Sequence, residues 1–430
     1  MGAAGRDYHN FLMYFKDNPQ FVVVGFTAAQ IPGIEKRVFP KVLAGSLYAE
    51  DIPMFPEEEL VKLIKEKNIS DVFLSYSDLS FQQVMEKASQ VLAAGANFSL
   101  LGSQATMLHT SVPVVAVTAV RTGCGKSQTA RKVGSILREL GYKVVAIRHP
   151  MPYGDLMKEE VQRFSDMKDL SAAQVTIEER EEYEPWLKMG IPVFAGVDYY
   201  KILLQAEKEA DIIIWDGGNN DVPFYKPDLH IVVVDPLRPG HELKYYPGLV
   251  NVLTADVIVI NKIDSARRGD VRLVMQNIRK MNHHAELVKA NSLVKVDRPE
   301  LIAGKRVIVV EDGPSLTHGG LRHGAGTIAA LRYKGKMVDV RPFAVGSIKQ
   351  TLLAYPHLDK ELPAMGYSKL QIKELQETLN AIPADVVIDG SPISLSRLIK
   401  VNKPMVNVSY ELEEIGKLTL RKIITKHFQG

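Results

Sequence analysis

Five residues, Gly123-Cys124-Gly125-Lys126-Ser127, restrict this chain more than any other feature in it. They follow an apolar run, Pro113–Thr118, that reads as a strand. They open the segment Ser127–Leu140, in which Ala130, Val133, Leu137 and Leu140 recur on one helical face and Gly141 supplies the C-cap. A glycine turn between a strand and a helix lets backbone N–H groups curl around phosphate oxygens; a lysine beside it reaches the β- and γ-phosphates, and the following hydroxyl ligates Mg²⁺. The pattern G-x-x-x-x-G-K-[ST] is met at its last three positions, while Val120 stands at its first. Arg121, Thr122, Gly123, Cys124, Gly125, Lys126, Ser127 and Gln128 are therefore expected to hold a nucleoside triphosphate.

Around this motif the chain repeats one rhythm: a short apolar run, a glycine or polar turn, then a helical pattern. That rhythm predicts an α/β fold with a mostly parallel sheet, a P-loop NTPase domain preceded by a small Rossmann-like domain and followed by an α/β C-terminal region. Residues 1–110 form the first unit, with strands at Phe21–Phe26 and Asp71–Ser75. Its helix presents Phe81, Val84, Met85, Ala88, Val91 and Leu92 on one face and ends at Gly95. Gly2-Ala3-Ala4-Gly5 reads as a turn that should follow a strand, so either the first strand is absent or the natural start lies upstream. Residues 111–303 hold the P-loop domain, with further strands at Lys143–Ile147, Asp211–Trp215, Leu229–Val234 and Val257–Ile260. Residues 304–430, with strands at Arg306–Val310, Val386–Ile388 and Met405–Val408 and a helix near Glu413–His427, either form a third region or extend the P-loop sheet.

Composition narrows the function classes. With 46% apolar and 24% charged residues the chain has ordinary globular values, and a net charge of +3 over 430 residues is too small to point to nucleic acid. Cys124 is the one cysteine, which excludes an intrachain disulfide and a cysteine-based zinc site. No run of about 18 apolar residues marks a membrane span, and the first twenty residues lack the apolar core of a signal peptide. The expected setting is cytoplasmic, with a small-molecule phosphorylated substrate, no nucleic-acid or membrane partner, and a homodimer allowed.

Several other strand ends carry chemistry. Asp216 closes an apolar run and is the candidate carboxylate for Mg²⁺, with Asp221 five residues on. Asn261-Lys262-Ile263-Asp264 has the N-K-x-D form of guanine recognition. Arg148 and His149, followed by a proline turn and Asp155, sit where an acceptor would lie, because ligands of open α/β sheets bind beyond the carboxyl ends of strands. A rigid turn with solvated charges would give the same string. Arg238 and His241 follow another strand and invite the same reading. His318 lies among the glycines of Glu311–Gly320, with Gly324 and Gly326 beyond; these would serve either close backbone approach to a ligand or a surface turn. His283-His284 reads as surface.

Taken together, Ala119–Gln128, Arg148–Leu156, Trp215–Asp221, Asp235–Glu242, Asn261–Asp264 and Glu311–Gly320 resemble the cyclic 2,3-diphosphoglycerate synthetase family, whose members often carry only a GTPase label. The resemblance runs from Gly2 almost to the C-terminus. It implies ATP, with GTP as the alternative set by N-K-x-D, and Mg²⁺ on Ser127 and Asp216. The implied reaction is ATP-driven closure of 2,3-diphosphoglycerate to its cyclic pyrophosphate. Lys126, Arg148, His149, Asp155 and Asp216 would carry the chemistry; Arg121, Arg238, His241 and His318 would help hold an acceptor of high negative charge. The competing readings are a metallochaperone or regulatory GTPase and another small-molecule kinase.

Overall fold

The computed structural model describes residues 1–2, 5–29, 37–148, 155–173, 175, 177–218, 221–317, 319–364, 369–392 and 395–430. Among them the dominant feature is a sheet of thirteen strands. At its centre is the strand Val114–Ala119, all six residues buried. Side chains alternate along a strand, so Val115, Val117 and Ala119 enter one core and Val114 and Ala116 the other. A strand covered on both faces reads as an unbroken apolar run, which is why this one was legible.

The neighbours of this strand are Ile212–Asp216 on one side and Leu229–Val234 on the other, both parallel to it. Beyond Ile212–Asp216 come Val144–Arg148 and Val193–Ala195, with Gln162–Phe164 antiparallel at the edge. Beyond Leu229–Val234 come Val257–Ile260 and the long strand Glu286–Val296. The helix Lys126–Glu139 covers one face, joined by Leu420, Ile423 and Ile424 of the helix Leu420–Gln429.

The sheet does not stop there. Glu286–Val296 pairs antiparallel with Met405–Ile415, from Lys289 opposite Ile415 to Val296 opposite Val408. Met405–Ile415 then leads a second parallel set, Val386–Gly390, Arg306–Glu311, and Lys336–Met337 with Glu361–Pro363 on the same outer edge. The two sets grip opposite ends of the long ribbon. Val257–Ile260 pairs with Glu286 to Lys289, whereas Val387 to Asp389 pairs with Met405 to Asn407. Because the sets also run in opposite directions, their carboxyl edges face each other across the middle of the ribbon, near Ser292 and Tyr410. Loops that leave the two sets are thereby aimed at one space.

Residues before the P-loop strand form smaller sheets. Phe26–Ala28 pairs with Ile52–Pro56, and Asp71–Leu74 with Asn97–Leu100. Met1 and Gly2 bridge these pairs: Gly2 N–H donates to Thr27 O at 3.0 Å, and Met1 O accepts from Ser75 N–H at 2.8 Å. Of the expected strand Phe21–Phe26 only Phe26 is extended into a ladder. The helix Phe81–Ala94 begins on a Ser80–Gln83 capping box and, as expected, ends on Gly95, which is in the left-handed region. Its face is narrower than expected. Val84, Ala88 and Val91 are buried, while Phe81, Met85 and Leu92 are exposed.

Candidate nucleotide site

The turn after Val114–Ala119 has the backbone a phosphate cradle needs. Gly123 and Gly125 have φ of 78° and 104°, in the region that disfavours side chains. A Cβ on Gly125 would sit 2.2 Å from Asn261 Nδ2 and 2.5 Å from Gln128 Nε2. The helix Lys126–Glu139 starts directly after it, with Ser127 in its first turn.

Asp216 ends the adjacent strand and is 1% exposed. Its Oδ1 accepts from Lys126 Nζ at 2.6 Å, and its Oδ2 accepts from Trp186 Nε1 at 3.1 Å and forms an ion pair with Arg148 Nη1 at 2.5 Å. Burial would raise this carboxyl, but the charges of Arg148 and Lys126 outweigh it and hold the pKa at about 2. Arg148, itself buried, carries a second ion pair to Glu182. Glu182 and Trp186 stand four apart on the helix Ile177–Lys188 and so share a face toward this cluster. Neither was expected from the sequence. The i, i+4 spacing of an acid and an indole on an otherwise acidic helix was the available signal.

Asn261 and Lys262 brace the P-loop from beneath. Asn261 Nδ2 donates to Cys124 O at 2.9 Å; Lys262 Nζ donates to Gly123 O at 2.5 Å and pairs with Asp235 at 3.1 Å. Asp264 is exposed, and its Oδ1 accepts from Ser292 N–H at 3.1 Å. Gln128 Nε2 reaches Ser292 Oγ at 3.2 Å.

Arg238 is buried and donates to Gly319 O at 2.6 Å, Asp235 Oδ2 at 3.0 Å and Cys124 Sγ at 3.4 Å. It stitches the P-loop to the loop after Arg306–Glu311 rather than reaching into open space. His241 Nδ1 accepts from Arg121 Nη1 at 2.8 Å. Burial, reinforced by Arg121 and Arg238, lowers the His241 pKa to about 4, so the imidazole is neutral. Arg121 lies 3.7 Å from the Tyr245 ring centroid and pairs with Asp78 of the N-terminal segment. Asp155 is exposed, its Oδ1 accepting from Met157 N–H at 3.0 Å. His149, with 150–154 beside it, and His318 lie outside the described residues. Asp221 is buried near Arg6, where burial lifts it to about 6 against the Arg6 charge.

The glycines after Glu311 do meet a close neighbour, but it belongs to the chain. Glu311 is buried and accepts from the N–H groups of Gly324, Gly326 and Thr327 at 2.7 to 3.1 Å; a Cβ on Gly324 would lie 2.3 Å from its Oε2. His283 and His284 are exposed. Among the described residues no group of three or more His, Cys, Asp or Glu is placed to hold a metal, and no helix is long and apolar enough to cross a membrane.

The chain is 60% identical to arginine synthetase ArcE of Thermococcus kodakarensis over 425 residues, 99% of this chain and 95% of the relative. It belongs to the arginine synthetase ArcE family. The likeness to the cyclic 2,3-diphosphoglycerate synthetase of Pyrococcus furiosus is far smaller, 24% over 261 residues, 54% of this chain and 58% of that one. The expected cyclisation of 2,3-diphosphoglycerate is therefore overturned. The strings that suggested it lie in strand-end loops around the P-loop. No family model matches the chain. Among solved structures, LpxK of Aquifex aeolicus in complex with ATP overlaps 75% of this chain and 90% of its own, with 15% identity and a TM-score of 0.41. The MinC:MinD complex of Aquifex aeolicus overlaps 42% and 81%, with 18% identity and a TM-score of 0.25.

Proposed function

We propose that this protein is an ATP-dependent ligase that makes arginine. The observation that carries the reading is the 60% identity to an arginine synthetase along 99% of the chain. The local geometry supports its nucleotide half. Backbone N–H groups of the turn and Lys126 bind the β- and γ-phosphates, and Lys126 exchanges its bond to Asp216 for them.

Ser127 and Asp216 form a hard oxygen donor pair, the carboxylate held ionised, which suits Mg²⁺. Bound there, the ion would neutralise phosphate charge. Arg148 keeps Asp216 charged when Lys126 turns to the nucleotide.

Arginine differs from its ureido counterpart, citrulline, by one nitrogen in place of one oxygen. The shortest route moves the γ-phosphoryl group onto the ureido oxygen, releasing ADP. An amine then adds to the ureido carbon and expels orthophosphate. Such chemistry rests on positioning and charge stabilisation rather than on a protein nucleophile. The nitrogen is taken as free ammonium: the one cysteine, Cys124, is buried, and burial pushes its thiol up to about 11, so it cannot serve as the thiolate that would release ammonia from glutamine.

The test is incubation of the purified protein with ATP, Mg²⁺, citrulline and ammonium chloride. Arginine is followed by amino-acid analysis, ADP and phosphate by phosphorus NMR. Arginine, ADP and phosphate in equal amounts are expected, and no new phosphorus signal with 2,3-diphosphoglycerate. Absence of arginine with active, nucleotide-binding protein would reject the reading.

A further inference from the structure

We propose that Asp312, held by Ser315 over the tip of the P-loop, is the base that takes a proton from ammonium so that nitrogen can attack. The inference rests on the arginine-forming reading above. It starts from the sheet. The carboxyl edge of the second strand set faces that of the first, so the loop after Arg306–Glu311 arrives over the nucleotide site from the opposite side. A Cβ on Gly123 would lie 3.0 Å from Ser315 Oγ and 2.8 Å from Leu321 Cδ1. Arg238 anchors the same loop through Gly319 O. Ser315 Oγ donates to Asp312 Oδ2, which fixes that carboxylate.

Ammonium is a cation and a poor nucleophile until it loses a proton. The site therefore needs a carboxylate that attracts it and can accept the proton. Asp216 is unsuited, because Arg148 and Lys126 hold it at about 2. Glu182 is committed to Arg148, and Asp155 is exposed to solvent. Glu311 is filled by three backbone N–H groups. Asp235 is paired with Lys262 and Arg238, Asp78 with Arg121, and Asp264 is exposed. Of these carboxylates Asp312 remains, with only Ser315 on it among the described contacts.

The groups that face Asp312 come from three elements. Glu182 on the helix Ile177–Lys188 repels a second negative charge, Lys262 after Val257–Ile260 attracts it, and the hydroxyl of the partly buried Tyr410 on the ribbon feels its field. Burial lifts the Asp312 carboxyl above the usual range, Glu182 adds to the lift, and Ser315 and Lys262 oppose it. A raised carboxyl is the better proton acceptor near neutrality.

The step balances. One N–H bond of ammonium breaks toward the Asp312 carboxylate. The freed electron pair forms the C–N bond to the phosphorylated ureido carbon. The C–O bond to phosphate breaks, its electron pair leaving on orthophosphate; the added nitrogen sheds a second proton as it enters the guanidinium, and the orthophosphate oxygens can take up that proton and the one that Asp312 holds.

The experiment measures arginine formation from ATP, citrulline and ammonium chloride at fixed total ammonium across pH 6.5 to 9, for wild type, Asp312→Asn and Ser315→Ala. Nucleotide affinity and melting temperature are measured on each. Asp312→Asn should lose at least roughly tenfold in rate near neutrality and then gain about tenfold per pH unit, in step with free ammonia, while nucleotide affinity stays within about twofold. Ser315→Ala should show the same trend more weakly. If Asp312→Asn keeps the wild-type pH slope, or falls equally in nucleotide affinity and melting temperature while Ser315→Ala matches wild type, the assignment is overturned. If wild type itself makes no arginine, the functional reading fails and this role with it, an outcome separate from a change confined to the variants.

Discussion

Lys126 and Asp216 form a 2.6 Å ion pair between the first residue of the P-loop helix and the end of the neighbouring strand, at a carboxylate only 1% exposed. Under the proposed function, the pair joins the lysine assigned to the nucleotide and the acid assigned to the metal. Lys126→Ala should cut turnover at least roughly a hundredfold, the scale of one preorganised electrostatic contact. Steady-state release of ADP and arginine measures it; near-normal turnover would remove the P-loop lysine from the chemistry.

Arg148 is buried between Asp216 and Glu182, and its removal leaves Asp216 with Lys126 as its one cation. Arg148→Ala should destabilise the fold by about 3 kcal/mol, as breaking a buried ion pair does. Glu182→Gln, at a half-exposed partner, should cost less than about 1 kcal/mol. Urea titrations of the two variants compare them; equal losses would contradict the asymmetry.

Gly125 has φ of 104°, and a Cβ there would lie 2.2 Å from Asn261 Nδ2. Gly125→Ala must strain the backbone and push Asn261 off Cys124 O. Nucleotide affinity should drop by at least roughly tenfold, with on the order of 1–3 kcal/mol of stability lost. Calorimetric titration with ATP reads the first and a denaturant series the second.

Asp264 spends one oxygen on Ser292 N–H and is otherwise exposed. If the protein uses ATP, Asp264→Asn should leave ATP turnover within about threefold and should gain nothing with xanthosine triphosphate, since no guanine contact is there to be switched. A gain with xanthosine triphosphate at the expense of GTP would reassign the base.

His230 is buried and bonds Thr118 Oγ1 through Nε2 at 2.9 Å. Burial lowers its pKa from 6.5 to about 4, against a hydrogen bond to Thr254. Between those values the unfolded chain binds the proton and the folded chain does not. Stability therefore falls as pH drops through that window, by about 3 kcal/mol at most from this group. Urea midpoints at pH 7 and pH 4.5 should differ less in His230→Gln than in wild type.

The parts of this fold that were legible are those where burial on two faces leaves an unbroken apolar run. Leu229–Val234 and Val257–Ile260 match the strands residue for residue, and the P-loop helix starts within one residue of expectation. The parts missed obey weaker local rules. Glu286–Val296 is mostly half-buried and carries polar and charged residues among its apolar ones, and its identity is set by Met405–Ile415, more than a hundred residues away. Asp216, Arg148, Asn261 and Lys262 stood out because their strings sit at strand ends, although Asn261 and Lys262 were expected to meet a nucleotide base and instead brace the P-loop. Trp186, Glu182 and Ser315 reach the site only through tertiary packing. No spacing within the sequence joins Ser315 to Gly123, because two opposed half-sheets bring them together.

The antiparallel ribbon has a consequence for how the chain acquires its shape. Everything between Val296 and Met405 is a loop thrown out from one edge of the nucleotide half, and the chain then returns to finish that half. Leu420, Ile423 and Ile424 pack in the same core as Val115 and Val133, and Tyr142 Oη donates to Phe428 O at 3.1 Å. The phosphate-binding core therefore cannot be closed until residues 405–429 have been synthesised. Long-range pairings of this kind are slow to form and expose unpaired strand edges while they wait. Removing residues 405–430 should thus open the nucleotide half itself, not trim an appendage, and nascent chains halted before Met405 should be those most dependent on chaperones.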